Sequence, residues 1–337
     1  MALEQQTISE SQLLYEVGIK DWQSYLSANK LKEVSAVVLD ASSKCDYGEC
    51  PACYYMDDEG KRCPNKDLDL ETVETWKKIF TKTETVPQQV WLPGGEPTLN
   101  SHLIEIVNSL KKIIPEVTLV SNGFKLANRD FVKELLSESE LTEIDITINS
   151  VNQDVHNLMM ASRENSEWQK IPNLPFDELL KNYFLGKTSM NNFAKAYQAL
   201  INIAQVSDEL KRELIVGINL NMNQSADLLP LVDKLEKDGG RLDFAILQSI
   251  QPTTRFTNRE KDNRSFAWQR PTIKMIGDYV DQAKQLLKQG RIRDVTIIDP
   301  LPESIVKQLN LENESIYQPS DTPAIGVDGK LRTNVLT

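Results

Sequence analysis

Between residues 33 and 249, short β-branched runs alternate with stretches of helical spacing, and this rhythm limits the fold more than any other feature of the chain. "EVSAVVLD" (33–40), "QQVWLPGG" (88–95), "EVTLVSNG" (116–123), "EIDITINS" (143–150), "ELIVGINLN" (213–221) and "RLDFAILQS" (241–249) each read as a strand. The spacing predicts helices over 68–80, 101–114, 128–139, about 191–206 and 227–239, with others at 9–31 and about 271–289. Asn100 or Ser101 is the expected cap of the helix that follows strand two. Such alternation favours a parallel sheet with helical crossovers. Alternation alone does not separate a barrel from a doubly wound open sheet. In both, a site lies in the loops at the C-terminal ends of the strands.

All four cysteines of the 337 residues fall in "SSKCDYGECPACYYMDDEGKRC" (42–63), immediately after the first strand. The N-terminus "MALEQQTISES" has neither a basic nor an apolar signal segment, which predicts a reducing, cytoplasmic setting. Clustered thiols there point to a metal or redox role rather than to disulfides. No apolar run approaches the ~18 residues of a membrane span. A net charge of −11 gives no basic footprint for nucleic acid.

Cys45, Cys50 and Cys53 are spaced C-x4-C-x2-C, and Cys63 follows later. A structural zinc site using all four thiols is one reading, although the lone Cys63 departs from the usual paired knuckles. The next strand ends in Gly94-Gly95-Glu96-Pro97. Three cysteines after strand one and a "GGEP" turn after strand two resemble the radical S-adenosylmethionine (radical SAM) superfamily, over roughly residues 33–250.

The resemblance implies an α/β fold, a partial (β/α)6 TIM-type barrel over 33–270. An N-terminal helical segment (1–32) would precede it, and a small extension without auxiliary-cluster cysteines (271–337) would follow. It implies that Cys45, Cys50 and Cys53 ligate three irons of a [4Fe–4S] cluster, leaving the fourth iron for S-adenosylmethionine. Gly94 and Gly95 are then expected to give the cofactor close backbone approach, with Glu96 supplying a negative group near its amine. "ITINS" is similar to the family's fourth-strand pattern, so Thr147 and Asn149 are candidate cofactor contacts. "INLNMNQSADLLPL" is similar to the fifth-strand pattern and adds Asn219 and Asn221. Asn223 could equally cap the next helix. The family's usual spacing is C-x3-C-x2-C, and Gly48 could absorb the extra residue. The aromatic residue usual just before the third cysteine is replaced by Ala52, with Tyr54 and Tyr55 following instead.

Cys63 reads as a bystander, because a fourth thiolate would block the open iron. His102 suits a surface or capping role. His156 follows strand four on the active-site side without a visible partner. The long connection 151–190 and the basic loop "RFTNREKDNRSFAWQR" (255–270) are expected to decorate the barrel mouth. "AIGVDGKLRTNVL" (324–336) reads as a hairpin turning at Asp328-Gly329. It is similar to an element of radical SAM peptide-modifying enzymes. The expected partners are therefore a peptide or protein substrate, with tyramine excision as one version, together with a leader-recognition protein and a flavodoxin- or ferredoxin-type electron donor. A radical SAM enzyme of small metabolites, a zinc-stabilised binding protein and an iron–sulfur sensor are the alternatives.

Overall fold

The computed structural model describes residues 9–46, 65–151, 153, 156–157, 192–222, 228–249, 272–298, 307–309, 317–318 and 323–332. Cys50, Cys53, Cys63, Tyr54, Tyr55, Asn223, most of the 151–190 connection and the basic loop 255–270 lie outside the described residues.

Helix α1 (Glu10–Ala28) comes first, and β1 (Ala36–Leu39), α2 (Leu70–Lys82) and β2 (Gln89–Leu92) follow. Next are α3 (Leu103–Lys111), β3 (Glu116–Ser121), α4 (Arg129–Glu138) and β4 (Glu143–Ile148). The series runs on through α5 (Asn192–Glu209), β5 (Ile215–Met222), α6 (Leu228–Lys237) and β6 (Phe244–Ser249). All six expected strands are present, and β1 to β6 lie side by side in chain order, each parallel to the next. This is the sheet of a partial TIM-type barrel.

The sheet does not stop at residue 270. Helix α7 (Ile273–Lys288) leads to β7 (Asp294–Ile298), which pairs in parallel with β6, and β8 (Tyr317–Gln318) pairs with β7. Strand β9 (Ala324–Ile325) returns to the opposite edge and pairs in parallel with β1, and β10 (Leu331–Arg332) folds back on it antiparallel. The segment expected as a separate extension thus contributes strands to both edges of one sheet. Its hairpin turns where expected, with Gly329 at φ +75°.

Period-two patterning explains the two faces. On β4, Ile144, Ile146 and Ile148 are fully buried and share the apolar core with Leu200 and Ile203 of α5. Burying each such side chain contributes about 1.5–3 kcal/mol. The alternate residues Glu143, Asp145 and Thr147 point the other way, into the lumen.

Helix α1 starts at Ser9, whose hydroxyl accepts from the Gln12 N–H at 3.2 Å. Its Trp22 packs against Tyr25, Trp76 and Phe80 at ring separations of 5.6, 6.1 and 5.2 Å. The Trp76 indole N–H donates to the Gly329 carbonyl at 2.9 Å, which ties α2 to the C-terminal hairpin. No helix among the described residues is long and apolar enough to cross a membrane.

Candidate functional site: the C-terminal ends of the strands

The cysteine loop leaves and returns through one clamp. After β1, Ser42 donates its hydroxyl to Asp67 Oδ1 at 2.7 Å, and Lys44 Nζ meets Asp67 Oδ2 at 2.5 Å. The Ser43 N–H donates to the Lys66 carbonyl at 2.9 Å. Asn100 holds both limbs, donating to the carbonyls of Ala41 at 2.8 Å and Leu68 at 2.9 Å. Its Oδ1 also accepts from the His102 N–H at 2.9 Å, at the start of α3. The N-cap position of α3 is His102, which makes no side-chain cap bond. Cys45 sits just beyond the clamp and is partly exposed.

The glycine turn after β2 is pressed against the same limb. The N–H groups of Gly95 and Glu96 donate to the carbonyls of Ser42 and Lys44, both at 2.6 Å. A Cβ on Gly94 would stand 2.3 Å from the Ser42 oxygen, and one on Gly95 2.2 Å from the Lys44 oxygen. Only glycine fits at either position. The turn therefore sets the position of the backbone that carries Cys45.

Glu96 is completely buried. Its Oε1 accepts from the Thr98 N–H at 3.1 Å, the Thr98 hydroxyl at 2.5 Å and the Ser121 hydroxyl at 2.8 Å. Its Oε2 accepts from the Asn122 N–H at 2.8 Å. Burial raises its pKa, the bonds from Thr98, Asn122 and Ser121 oppose the rise, and the nearby Asp46 adds to it. Sequence reasoning expected a negative group presented to a cofactor amine. In the structure both oxygens accept hydrogen bonds that brace β2 against β3.

Asn122 completes this brace. Its side-chain amide donates to Asp46 Oδ1 at 2.9 Å and lies 3.9 Å from Cys45 Sγ, while its Oδ1 accepts from the Phe124 N–H at 2.8 Å.

Further round the mouth, Thr147 pairs in register with Asn219. Two residues on, the Asn221 side-chain amide donates to Asn149 Oδ1. The structure thus brings all four polar candidates together as two rungs across β4 and β5. The Asn149 N–H donates to His156 Nδ1 at 3.2 Å, which puts the imidazole proton on Nε2. His156 is fully buried, and burial pushes its pKa down to about 3, so it is neutral. Asn219 Oδ1 is buried and has no hydrogen-bond partner among the described residues.

Residues 41–171 match the family profile of the Radical SAM superfamily. Over that stretch the chain carries a radical SAM domain. Cys45 after β1 and the glycine turn after β2 both fall within those residues.

Among curated proteins, the chain is 30% identical over 132 residues to a probable GTP 3',8-cyclase of Methanopyrus kandleri, covering 39% of this chain and 40% of that protein. It is 29% identical over 121 residues to the GTP 3',8-cyclase of Microcystis aeruginosa, covering 32% of this chain and 36% of that protein. The matches thus span less than half of those relatives' length.

Among solved structures, it resembles Streptococcus suis SuiB bound to precursor peptide SuiA, with a TM-score of 0.53 at 13% identity. That match covers 93% of this chain and 63% of that one. It also resembles anSMEcpe with bound AdoMet, with a TM-score of 0.51 at 16% identity, covering 90% and 73%. These likenesses are in fold.

The cofactors of a radical SAM protein are a [4Fe–4S] cluster and S-adenosylmethionine. The described residues fit them. Cys45 offers a soft sulfur donor with an amide N–H nearby, suited to iron–sulfur ligation. Asn219 Oδ1 on β5 is a buried acceptor without a partner among the described residues.

Two further residues belong here, one of them in a turn that the sequence already marks. One is Asn122, whose signal was present in the "SNG" turn. The other is Lys195, whose ammonium lies 3.3 Å from the centre of the Phe124 ring. Burial lowers the Lys195 pKa, and Asp46 opposes that shift. No sequence motif marked Lys195, because it reaches the mouth only through the packing of α5.

Proposed function

We propose that Cys45, Cys50 and Cys53 hold the cluster and that Gly94, Gly95, Thr147, Asn149, Asn219 and Asn221 receive S-adenosylmethionine, in an enzyme that abstracts hydrogen from a peptide or protein substrate. When bound, the cluster and cofactor supply a 5′-deoxyadenosyl radical, and the chain's own residues position and shield it. The observation that carries the reading is the arc of side chains and turns at the C-terminal ends of β1 to β5, running from Cys45 to Asn221.

Gly94 and Gly95 keep the cysteine-bearing backbone against the end of β2. Glu96 acts through the turn, holding it to Ser121 and Asn122. Thr147 and Asn219 form one polar rung. Asn149 and Asn221 form a second, whose geometry is fixed by neutral His156. Amide and hydroxyl groups suit the ribose hydroxyls and the amino and carboxylate ends of the cofactor, all of which hydrogen-bond without needing a charged partner.

The peptide reading is supported by the Asp328-Gly329 hairpin and by a fold likeness that extends over 93% of the chain to a protein crystallised with a precursor peptide. Tyramine excision is one reaction within it. A leader-recognition protein and a flavodoxin- or ferredoxin-type donor are the partners it calls for. The second reading, a small-molecule substrate, is favoured by the relatives named GTP 3',8-cyclase, whose match covers 39% of the chain.

Formation of 5′-deoxyadenosine by the reduced enzyme separates the readings. Stimulation by a precursor peptide encoded beside the gene, and not by GTP, is expected. Stimulation by GTP alone contradicts the peptide reading.

A further inference from the structure

Strands β4 and β5 are parallel, so α5 between them starts at the C-terminal ends of the strands. Asn157 meets it there and is 1% exposed. Its Oδ1 accepts from the Phe193 N–H at 2.8 Å, in the first turn of α5, where backbone donors lack partners within the helix. This bond fixes the amide's orientation, because the reversed amide would set N–H against N–H. The other arm, Nδ2, therefore also sits at the start of α5. It has no hydrogen-bond partner among the described residues.

His156 is the preceding residue. Its Nδ1 takes the Asn149 N–H at 3.2 Å, so Nε2 carries the ring proton. The ring is fully buried and makes a T-shaped contact with the Phe193 ring at 5.6 Å. Nε2 likewise has no hydrogen-bond partner among the described residues. Two adjacent buried donors without acceptors call for an explanation.

Their surroundings are electropositive. The aligned peptides of a helix place roughly half a positive charge at its start. The first turn of α5 contains no acidic residue. Lys195 lies in that turn, with its ammonium over the Phe124 ring and no ion pair among the described residues. The carboxylate near it, Asp46, is held by the Asn122 amide at 2.9 Å.

We propose that the start of α5 binds an oxyanion of the substrate, a carboxylate or a phosphate group, with Asn157 Nδ2 and His156 Nε2 as its donors and Lys195 as the neighbouring cation. An oxyanion supplies the acceptors that both side chains lack and the charge that a helix start favours. Neutral His156 donates without the cost of charging a buried ring. The inference deepens the substrate side of the proposed function and rests on it. His156 is bonded to Asn149, so an anion held here sets the rest of its molecule beside the Asn149–Asn221 rung.

Two sources bring such a group. A peptide carries carboxylates, and a nucleotide carries phosphates. Both need the same donors, and the affinity order of the bare anions separates them. Asn157→Asp keeps an oxygen for the Phe193 N–H and replaces the Nδ2 donor with a second, negative oxygen. It therefore repels either anion while leaving α5 capped.

The chain has two histidines, His102 and His156, so nuclear magnetic resonance of the full chain isotopically labelled at its histidine nitrogens reads the site directly. The reconstituted protein, saturated with S-adenosylmethionine, is titrated with acetate, inorganic phosphate and uncharged acetamide. The His156 Nε2–H signal is expected to shift saturably, with at least one anion bound at least about tenfold more tightly than acetamide. Tighter acetate assigns a carboxylate, and tighter phosphate a phosphate ester. His102, exposed at the start of α3, is the reference and should move little. Asn157→Asp is expected to weaken anion binding at least about tenfold, and Lys195→Met severalfold. No saturable shift at His156, an equal response to acetamide, equal shifts at both histidines, or undiminished binding in either variant would each overturn the proposal. If Asn157→Asp does not fold, the probe set and Lys195→Met decide alone. The readout needs neither cluster nor turnover, so its failure is distinct from a failure of the proposed function.

Discussion

The Asn122 backbone N–H donates to Glu96 Oε2 at 2.8 Å, and the side-chain amide of the same residue donates at 2.9 Å to Asp46, the neighbour of Cys45. One asparagine thereby joins the glycine turn after β2 to the cysteine loop after β1. Removing Glu96 orphans donors on Thr98, Ser121 and Asn122 in a buried setting. Glu96→Ala is expected to cost about 3–5 kcal/mol in urea unfolding, and Glu96→Gln about 1–2 kcal/mol. Asn122→Ala should unfold close to the wild type yet bind less iron after anaerobic reconstitution.

Gly95→Ala would drive a methyl group into the Lys44 carbonyl, which is backbone and cannot swing away. A loss on the order of 2–3 kcal/mol and a fall in iron content are expected. Gly290→Ala is the control. Its φ is positive, at +66°, but nothing lies within 4 Å of its Cβ position, so it should leave iron content unchanged.

His156 gives a pH signature. Its pKa falls from an ordinary 6.5 to about 3 on folding, so below the ordinary value the unfolded chain binds a proton that the folded chain refuses. Its contribution is complete above about pH 6.5 and is lost as pH falls toward 3, by about 1.4 kcal/mol per unit at most. Glu96, Glu143 and Asp145 are raised and act with the opposite sign, losing stability as pH rises. The difference between wild type and His156→Gln isolates the histidine. It should shrink steadily as pH falls through that window in urea titrations, and a constant difference would contradict the assignment.

The Asn149–Asn221 rung should affect the cofactor more than the fold. Asn221→Ala is expected to weaken S-adenosylmethionine binding about tenfold, worth about 1.4 kcal/mol. A titration of the cluster spectrum reads this directly.

Much of this arrangement was legible in the sequence, for physical reasons. Period-two runs such as "EIDITIN" state both the strand and its polar face. Gly94 and Gly95 announced a close approach, and the Ser42–Lys44 backbone that leads to Cys45 is pressed against them. The fate of Glu96 was not legible, because its partners Ser121 and Asn122 arrive from the next strand. Asp145 was equally hidden. Its meaning depends on Gly217, 72 positions later, meeting it across the β4–β5 register. Strand β7 lies past the boundary expected at residue 270 although "DVTII" carries the β-branched signal, because its place in the sheet is fixed only by pairing with β6.

The central claim is an open iron at the mouth formed by Cys45, the Gly94–Glu96 turn and Asn122. The most direct measurement is the low-temperature electron paramagnetic resonance spectrum of the anaerobically reconstituted, reduced protein, with and without S-adenosylmethionine. The account predicts a [4Fe–4S] signal that shifts when the cofactor is added and that is lost in Cys45→Ala. A signal indifferent to the cofactor, or a tightly held zinc in place of the cluster, would contradict it.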